Sequence, residues 1–358
     1  MARHRMSEII ARFIDQAGKE DASFYSDDHL EGIYQSTLNG NDTIFSYGRH
    51  FPLAEVIPSG DAKRGWWLLN GDRWGGSGGW GQSTTGQQNE VQRLVRGTGL
   101  PYLIVPFSAL DQAGISHDSI EIMHQLPERY TWEPRTRTEA PNEYEQEYTQ
   151  SARNWQQRPD GLWSYEASVH HLGEAVLKAD YTMTRSTRGY HDFETHNWVP
   201  GTWEQSTGTS YFLSAFDENE PGFGLYFLAQ LPDGAEPRTV AEAREALKPE
   251  IVVAAETFGR PVLRQGDVFA VQTPVETRQL PGPSKRSEFV LGVNHQVTEV
   301  RESNGVTYGR GVMRHRPREW GRRPEHRALK LGNGKTWYAL YKNTVPEGRS
   351  WSTGGKVD

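Results

Sequence analysis

Apolar positions recur at helical spacing over the first 18 residues: Ile9, Ile10, Phe13 and Ile14 share one side and Gly18 closes the run, which predicts a short amphipathic helix. From Tyr25 to Ile57 aromatic and polar residues alternate through "NDTIFSYGRHFPLAEV", the period of a strand. "RGWWLLNGDRWGG" then reads as a strand, an Asn-Gly-Asp turn and a second strand, a hairpin signal. A Gly-rich stretch, "WGGSGGWGQSTTG", leads into a helix predicted from about Gln87 to Arg96, with Thr84 or Thr85 as N-cap and Gly97 as the stop. "PYLIVPFSALDQAGI" adds a buried strand and a short helix, so this segment is α+β or a small βαβ unit.

Residues 127–160 break the pattern. They are polar, charged and rich in Pro and Glu, which predicts an inter-domain connection or a long exposed excursion. Beyond them "LWSYEASVHHLGEAVLKADYTMTR" reads as strands, and "TSYFLSAFDENEPGFGLYFLAQLP" as a hairpin about its acidic, Pro- and Gly-containing turn. Thr239 and Glu242 have capping-box spacing ahead of one helix broken at Pro249, or two short helices in succession. The tail returns to strands, with Asn304-Gly305 as a hairpin turn. The fold class is therefore α+β and β-rich. An N-terminal α+β domain is expected over residues 1–126, the connection over 127–160, and a β-rich domain over 161–358. That last domain has a helical insert at 239–258 and a small antiparallel barrel or sandwich from about residue 264.

Composition sharpens this outline. A chain of 358 residues suits two domains of ordinary size, because single cores stop growing near ~250 to 300 residues. The hydrophobic share is only 35%, yet there are 12 Trp, 15 Tyr and 13 Phe, so the core volume is largely aromatic. The absence of cysteine excludes disulfides, thiolate metal sites and Cys nucleophiles, leaves any metal to His, Asp, Glu or carbonyl oxygen, and suits a reducing cytoplasm. The first residues contain no apolar signal segment, and no stretch approaches the ~18 apolar residues of a membrane span. The expectation is a soluble, unexported protein without a membrane partner.

Charge is placed unevenly. Residues 301–358 hold 13 basic and 5 acidic residues, a balance of +8, so residues 1–300 hold −15 of the net −7. Most of the basic excess sits in "RGVMRHRPREWGRRPEHRALK", where arginine outnumbers lysine seven to one. Guanidinium forks suit phosphate oxygens and aromatic stacking, and Pro317 and Pro324 rule out a groove-binding helix. Two readings follow. Arg314, Arg316, Arg318, Arg322, Arg323 and Arg327 neutralise phosphates of a nucleic acid while Trp320, Trp74 and Trp80 offer stacking surfaces, or the run pairs with the acidic body. The Gly-rich stretch is not expected to supply a phosphate loop: it lacks the Lys of GK[ST], and its G-x-G-x-x-G spacing, Gly76 to Gly81, does not close into the helix predicted from about Gln87.

Histidines supply a second candidate. "YHDFETHNW" sets Asp192, Glu194 and His196 on one face of an extended segment. With His170 or His171 and with His295 they would make a divalent-metal site for a hydrolase or nuclease, although nothing in their spacing requires it. No HEXXH pattern occurs. A third reading is a self-assembling structural protein, a homo-oligomer in which the basic end of one copy meets the acidic body of the next.

The segments "YFLSAFDENE", "LRQGDVFAVQTP", "LGVNHQVTEV", "YGRGVMRHRP" and "LGNGKTWYALYKNTVP" resemble a group of uncharacterised proteins of actinobacteria and their phages; the likeness covers roughly residues 205–350 and, more faintly, "NGDRW" through "VPFSAL". It implies no activity. It does imply a prokaryotic or phage setting, in which nucleic acid is a more natural partner than a secreted carbohydrate.

Overall fold

A computed structural model describes residues 2–19, 33–38, 41–46, 51–59, 62–72, 81–142, 152–171, 173–186, 189–192, 194, 197–216, 226–274, 280–291, 294–316, 328–333, 335–346, 349–352 and 355–356. In chain order its elements are α1 (Ala2–Gln16), β1 (Ile33–Leu38), β2 (Asn41–Ser46), β3 (Pro52–Ser59), β4 (Ala62–Asn70), α2 (Gly81–Arg96), β5 (Tyr102–Val105), α3 (Phe107–Ala113) and β6 (Glu121–Gln125). There follow β7 (Arg129–Arg137), β8 (Ala152–Gln157), β9 (Trp163–His171), β10 (Ala175–Ser186), β11 (Tyr190–Asp192), β12 (Asn197–Val199), β13 (Trp203–Phe216) and β14 (Tyr226–Gln230). Two helices come next, α4 (Val240–Ala246) and α5 (Glu250–Thr257). The chain ends with β15 (Val262–Gln265), β16 (Val268–Gln272), β17 (Lys285–Val290), β18 (His295–Ser303), β19 (Val306–His315), β20 (Leu329–Leu331), β21 (Tyr338–Lys342), β22 (Ser350–Ser352) and β23 (Gly355–Lys356). The protein is β-rich, with an N-terminal α/β part and antiparallel sheets after it.

Two compact units emerge, and neither is one continuous segment: residues 1–121 join 178–209, and 122–177 join 210–358. In the first unit β1 to β5 form a sheet in sequential order, antiparallel except for the last pair. The β4–α2–β5 segment is the expected βαβ unit, with Trp67 level with Tyr102 and Asn70 with Val105. The second strand of the hairpin expected after Asn70 lies outside the described residues, and both edges of β4 are taken, by β3 and β5. Asn70 Oδ1 accepts the amide of Asp72 at 2.8 Å and that of Phe107 at 3.2 Å, which bends the chain at the strand end and ties it to the start of α3. Helix α2 begins at Gly81, six residues before the expected start, so Thr84 lies inside it rather than capping it. The buried side of α2 is largely polar beside Val91 and Val95: Gln88 Nε2 donates to the carbonyls of Asn70 and Asp72, and Ser46 Oγ donates to Gln87 while lying 3.1 Å from the Thr84 hydroxyl. Helix α1 buries Ile10, Phe13 and Ile14, with Phe13 edge-on to Trp67.

The second unit holds most of the antiparallel structure. A six-stranded sheet runs β23-β22-β14-β13-β10-β6, a seven-stranded one β15-β16-β21-β19-β18-β17 with β20 on β19, and a three-stranded one β7-β9-β8. Residues 127–160, expected as a connection, supply β7 and β8 of this last sheet. Their Trp, Tyr and Thr residues pair across to β9, which contact beyond the segment makes possible and local polarity hides. The expected barrel is not closed either: β15 and β17 are the two edges of an open sheet. Its curl is nonetheless strong, since Leu263 of β15, Val290 of β17 and Leu329 of β20 pack on one core with Val297, Met313 and Leu340.

Helices α4 and α5 seat on different sheets. Thr239 Oγ1 accepts the Glu242 amide at 3.1 Å, as the capping-box spacing predicts, and Pro249, lacking an N–H, ends α4 and opens α5. Val240 and Ala243 then pack on Val176, Leu213 and Phe227. Val252 and Ala255 of α5 pack on Phe269 and Val271 of β16, whose Val268 and Ala270 face the other core. A strand covered on both faces needs the unbroken apolar run that β16 has.

Candidate functional site

Strand β19 carries the arginine-rich run out of the seven-stranded sheet, and its arginines meet different fates. Arg310 donates from Nε to Glu299 Oε2 at 2.9 Å and lies 4.8 Å over the Trp337 ring. Burial pushes the Glu299 carboxyl up, but hydrogen bonds from Ser284 and Arg310 and the nearby arginine charges outweigh it and hold it below its ordinary value. The counter-charge reading therefore describes Arg310. Arg314 and Arg316 are exposed, and among the described residues neither side chain makes an ion pair; the Arg314 backbone pairs with Gln296 of β18, and the Arg316 N–H donates to the Asn294 carbonyl at 2.6 Å. Arg318, Trp320, Arg322, Arg323 and Arg327 lie outside the described residues, as do Trp74 and Trp80.

The described histidine candidates sit on separate elements, β9 and β18. His170 and His171 end β9 opposite Tyr130 and Arg129, while His295 opens β18 in another sheet. Glu194 is exposed and belongs to the first unit; His196 is outside the described residues. What the fold places beside His295 is His315, its cross-strand partner, with ring centroids 5.2 Å apart, and Asp267, whose Oδ1 is 3.6 Å from His295 Nδ1. All three are buried. They form a polar layer above the next pair, Val297 and Met313, at the end of the sheet from which Arg316 departs. His315 was legible in principle: counting outward from the Asn304-Gly305 turn pairs it with His295 once one bulge residue is allowed. Among the described residues no group of three His, Asp or Glu is placed to hold a metal ion.

The three-stranded sheet is a cluster that sequence patterning does not reveal. On β7 Tyr130 and Trp132 point to one face and are 66% and 37% exposed. Arg153 of β8 reaches across the central strand β9 and sets its guanidinium 3.9 Å over the Trp132 ring. Glu166 Oε2 fixes it, accepting from Arg153 Nε at 2.9 Å and from Asn154 Nδ2 at 2.6 Å. On the opposite, half-buried face Trp155 stacks on Tyr165 at 4.1 Å, with Arg137 4.6 Å over the Trp155 ring. A bulge between Arg153 and Gln156, with Asn154 at φ 57°, re-aims the strand so that Arg153 serves one face and Trp155 the other.

In the first unit Glu55 of β3 is buried and lies 3.1 Å from His117 Nδ1, while Asp111 Oδ1 is 3.7 Å from Nε2. Phe107 packs edge-on to the imidazole at 4.8 Å. Nearby, Asp72 accepts the Ser108 amide at 2.8 Å and its hydroxyl at 2.5 Å, closing the first turn of α3. These contacts tie β3, β4 and α3 together, and each carboxylate has a structural partner.

No family model, curated protein or solved structure matches this chain.

Proposed function

We propose that the protein binds nucleic acid, in the cytoplasm of a bacterial or phage system, and contacts phosphates through Arg314, Arg316 and the arginine-rich run that follows them. The observation that carries this reading is the contrast along β19: Arg310 spends its charge on Glu299, whereas Arg314 and Arg316 are exposed without a carboxylate partner among the described residues. Exposed guanidinium groups in an acidic chain attract a polyanion locally, and phosphate contacts give affinity with little base specificity. Among the described residues no helix is long and apolar enough to cross a membrane.

Fluorescence anisotropy with labelled single-stranded and duplex DNA and RNA, started at low salt, tests the reading. Wild type is expected to bind, and the double variant Arg314→Glu/Arg316→Glu to lose affinity for every nucleic acid alike. Absence of binding at low salt, or unchanged binding by the variant, removes the proposal. Assembly is the second reading, and β13 favours it: Trp203 to Thr209 are exposed on both faces of the strand, with Trp203 78% exposed. Light scattering across ionic strength separates the two, since a monomer at every salt concentration is incompatible with assembly.

A further inference from the structure

We propose that the outer flank of α5 pairs with the same flank of a second copy of this chain, as an antiparallel helix pair about a two-fold axis; this rests neither on the nucleic-acid reading nor on β13. Val252 and Ala255 seat the helix on β16, while Ile251, Ala254 and Phe258, spaced i, i+3, i+7, form a stripe on its outer side. Ile251 is 49% and Phe258 80% exposed, and the small Ala254 lies between them. Phe258 does not sit on a fraying end. The Arg260 amide donates to the Ala255 carbonyl and the Gly259 amide to the Glu256 carbonyl, both at 2.9 Å, with Gly259 at φ 69°, so a closed cap fixes the backbone that carries the ring.

The order of charges selects the occupant. Lys248 is held by Glu245 at 2.9 Å and by Glu256 at 2.6 Å, so these three satisfy one another. Glu250 at the start of α5 and Arg260 just past its end are exposed, and among the described residues neither makes an ion pair. Along the flank the order is therefore acid, large apolar, small, large apolar, base. Turning a second copy about an axis beside Ala254 and Ala255 sets Ile251 of each copy against Phe258 of the other and Glu250 near Arg260, and the alanine lets the helix axes approach. An unrelated partner needs no such reciprocity. Two short helices bury less than a standard interface, so the dimer is expected to be weak and reversible, with a Kd on the order of 10–100 µM.

Sedimentation equilibrium of the full-length protein at up to about 500 µM tests the pairing. Wild type is expected to dimerise, and Phe258→Asp to raise Kd by about tenfold or more. Glu250→Lys and Arg260→Glu each set like charges across the axis and should weaken the dimer several-fold, whereas Glu250→Lys/Arg260→Glu reverses both and should restore it. All of these positions are exposed, and thermal melting checks that each variant is folded. A wild type that stays monomeric over this range overturns the proposal and leaves the flank to a different protein. A dimer unchanged by Phe258→Asp overturns it too, and moves the contact to β13 if Trp203→Ser removes the dimer. Loss of the dimer in Phe258→Asp without recovery in the double charge variant overturns the antiparallel pairing.

Discussion

His117 shows how a single side chain registers its surroundings. Burial pushes its pKa down, but the hydrogen bond and charge of Glu55, with Asp111 and Asp118, outweigh that and leave it raised above the ordinary value. A raised folded pKa means that the stabilisation is fully present below the unfolded value, about 6.5, and is lost as pH rises through the folded one. The melting temperature is therefore expected to fall as pH climbs from about 6.5 through the raised pKa, and His117→Gln should flatten that dependence. A profile identical in the two proteins would show that the Glu55 contact contributes nothing. Gly114 is constrained more severely. It caps α3 at φ 67°, and a Cβ there would sit 1.9 Å from the Thr182 carbonyl oxygen. Gly114→Ala is expected to cost roughly 1–3 kcal/mol from backbone conformation alone, with the clash added, measured as a drop in urea midpoint.

At the scale of elements, local chemistry decides where helices start and tertiary contact decides what they cover. Helix α4 starts at Thr239 because that hydroxyl satisfies the Glu242 amide, and the Glu242 carboxylate in turn accepts from the Arg238 amide at 2.7 Å. Thr239→Ala should lower stability by about 1 kcal/mol and Thr239→Ser by much less, read by thermal or urea unfolding. Helix α2 behaves differently. Its inner face combines buried Val91 and Val95 with glutamine hydrogen bonds, so Gln88→Leu, although it adds apolar volume, removes the donor to the Asp72 carbonyl and leaves the Asn70 carbonyl to Gln92 alone, and is expected to destabilise by roughly 1–3 kcal/mol. Equal stability of this variant would mean that water replaces the glutamine.

For the whole molecule, charge sets the character that the proposed nucleic-acid binding would have. A chain of net −7 repels a polyanion at long range and attracts it only near its basic segment, so affinity should depend steeply on ionic strength. For single strands the slope of log K against log salt is expected at about −0.7 per phosphate neutralised, and Arg314→Glu/Arg316→Glu should make it shallower in proportion to the phosphates those two arginines hold. A slope near zero in wild type would replace phosphate contact with another mode of recognition. The two-unit division belongs to this scale too, because each unit is completed by a distant stretch of chain.

What the sequence by itself determined is what a few neighbouring residues control: the amphipathic α1, the Asn304-Gly305 turn with φ 51° and 75°, the Thr239 cap, the break at Pro249 and the β-rich class. Each depends on backbone conformation or on hydrogen bonds that close within a turn. Only the tertiary structure decided that β4 pairs in parallel with β5 as well as antiparallel with β3, that the polar stretch after residue 127 forms strands of an Arg- and aromatic-rich sheet, and that His295 meets His315 and Asp267. It also decided that Arg310 is paired with Glu299 while Arg314 and Arg316 face solvent. Those outcomes rest on pairings between residues far apart in the chain, where the entropy of closing the loop is repaid by contacts that no local window contains.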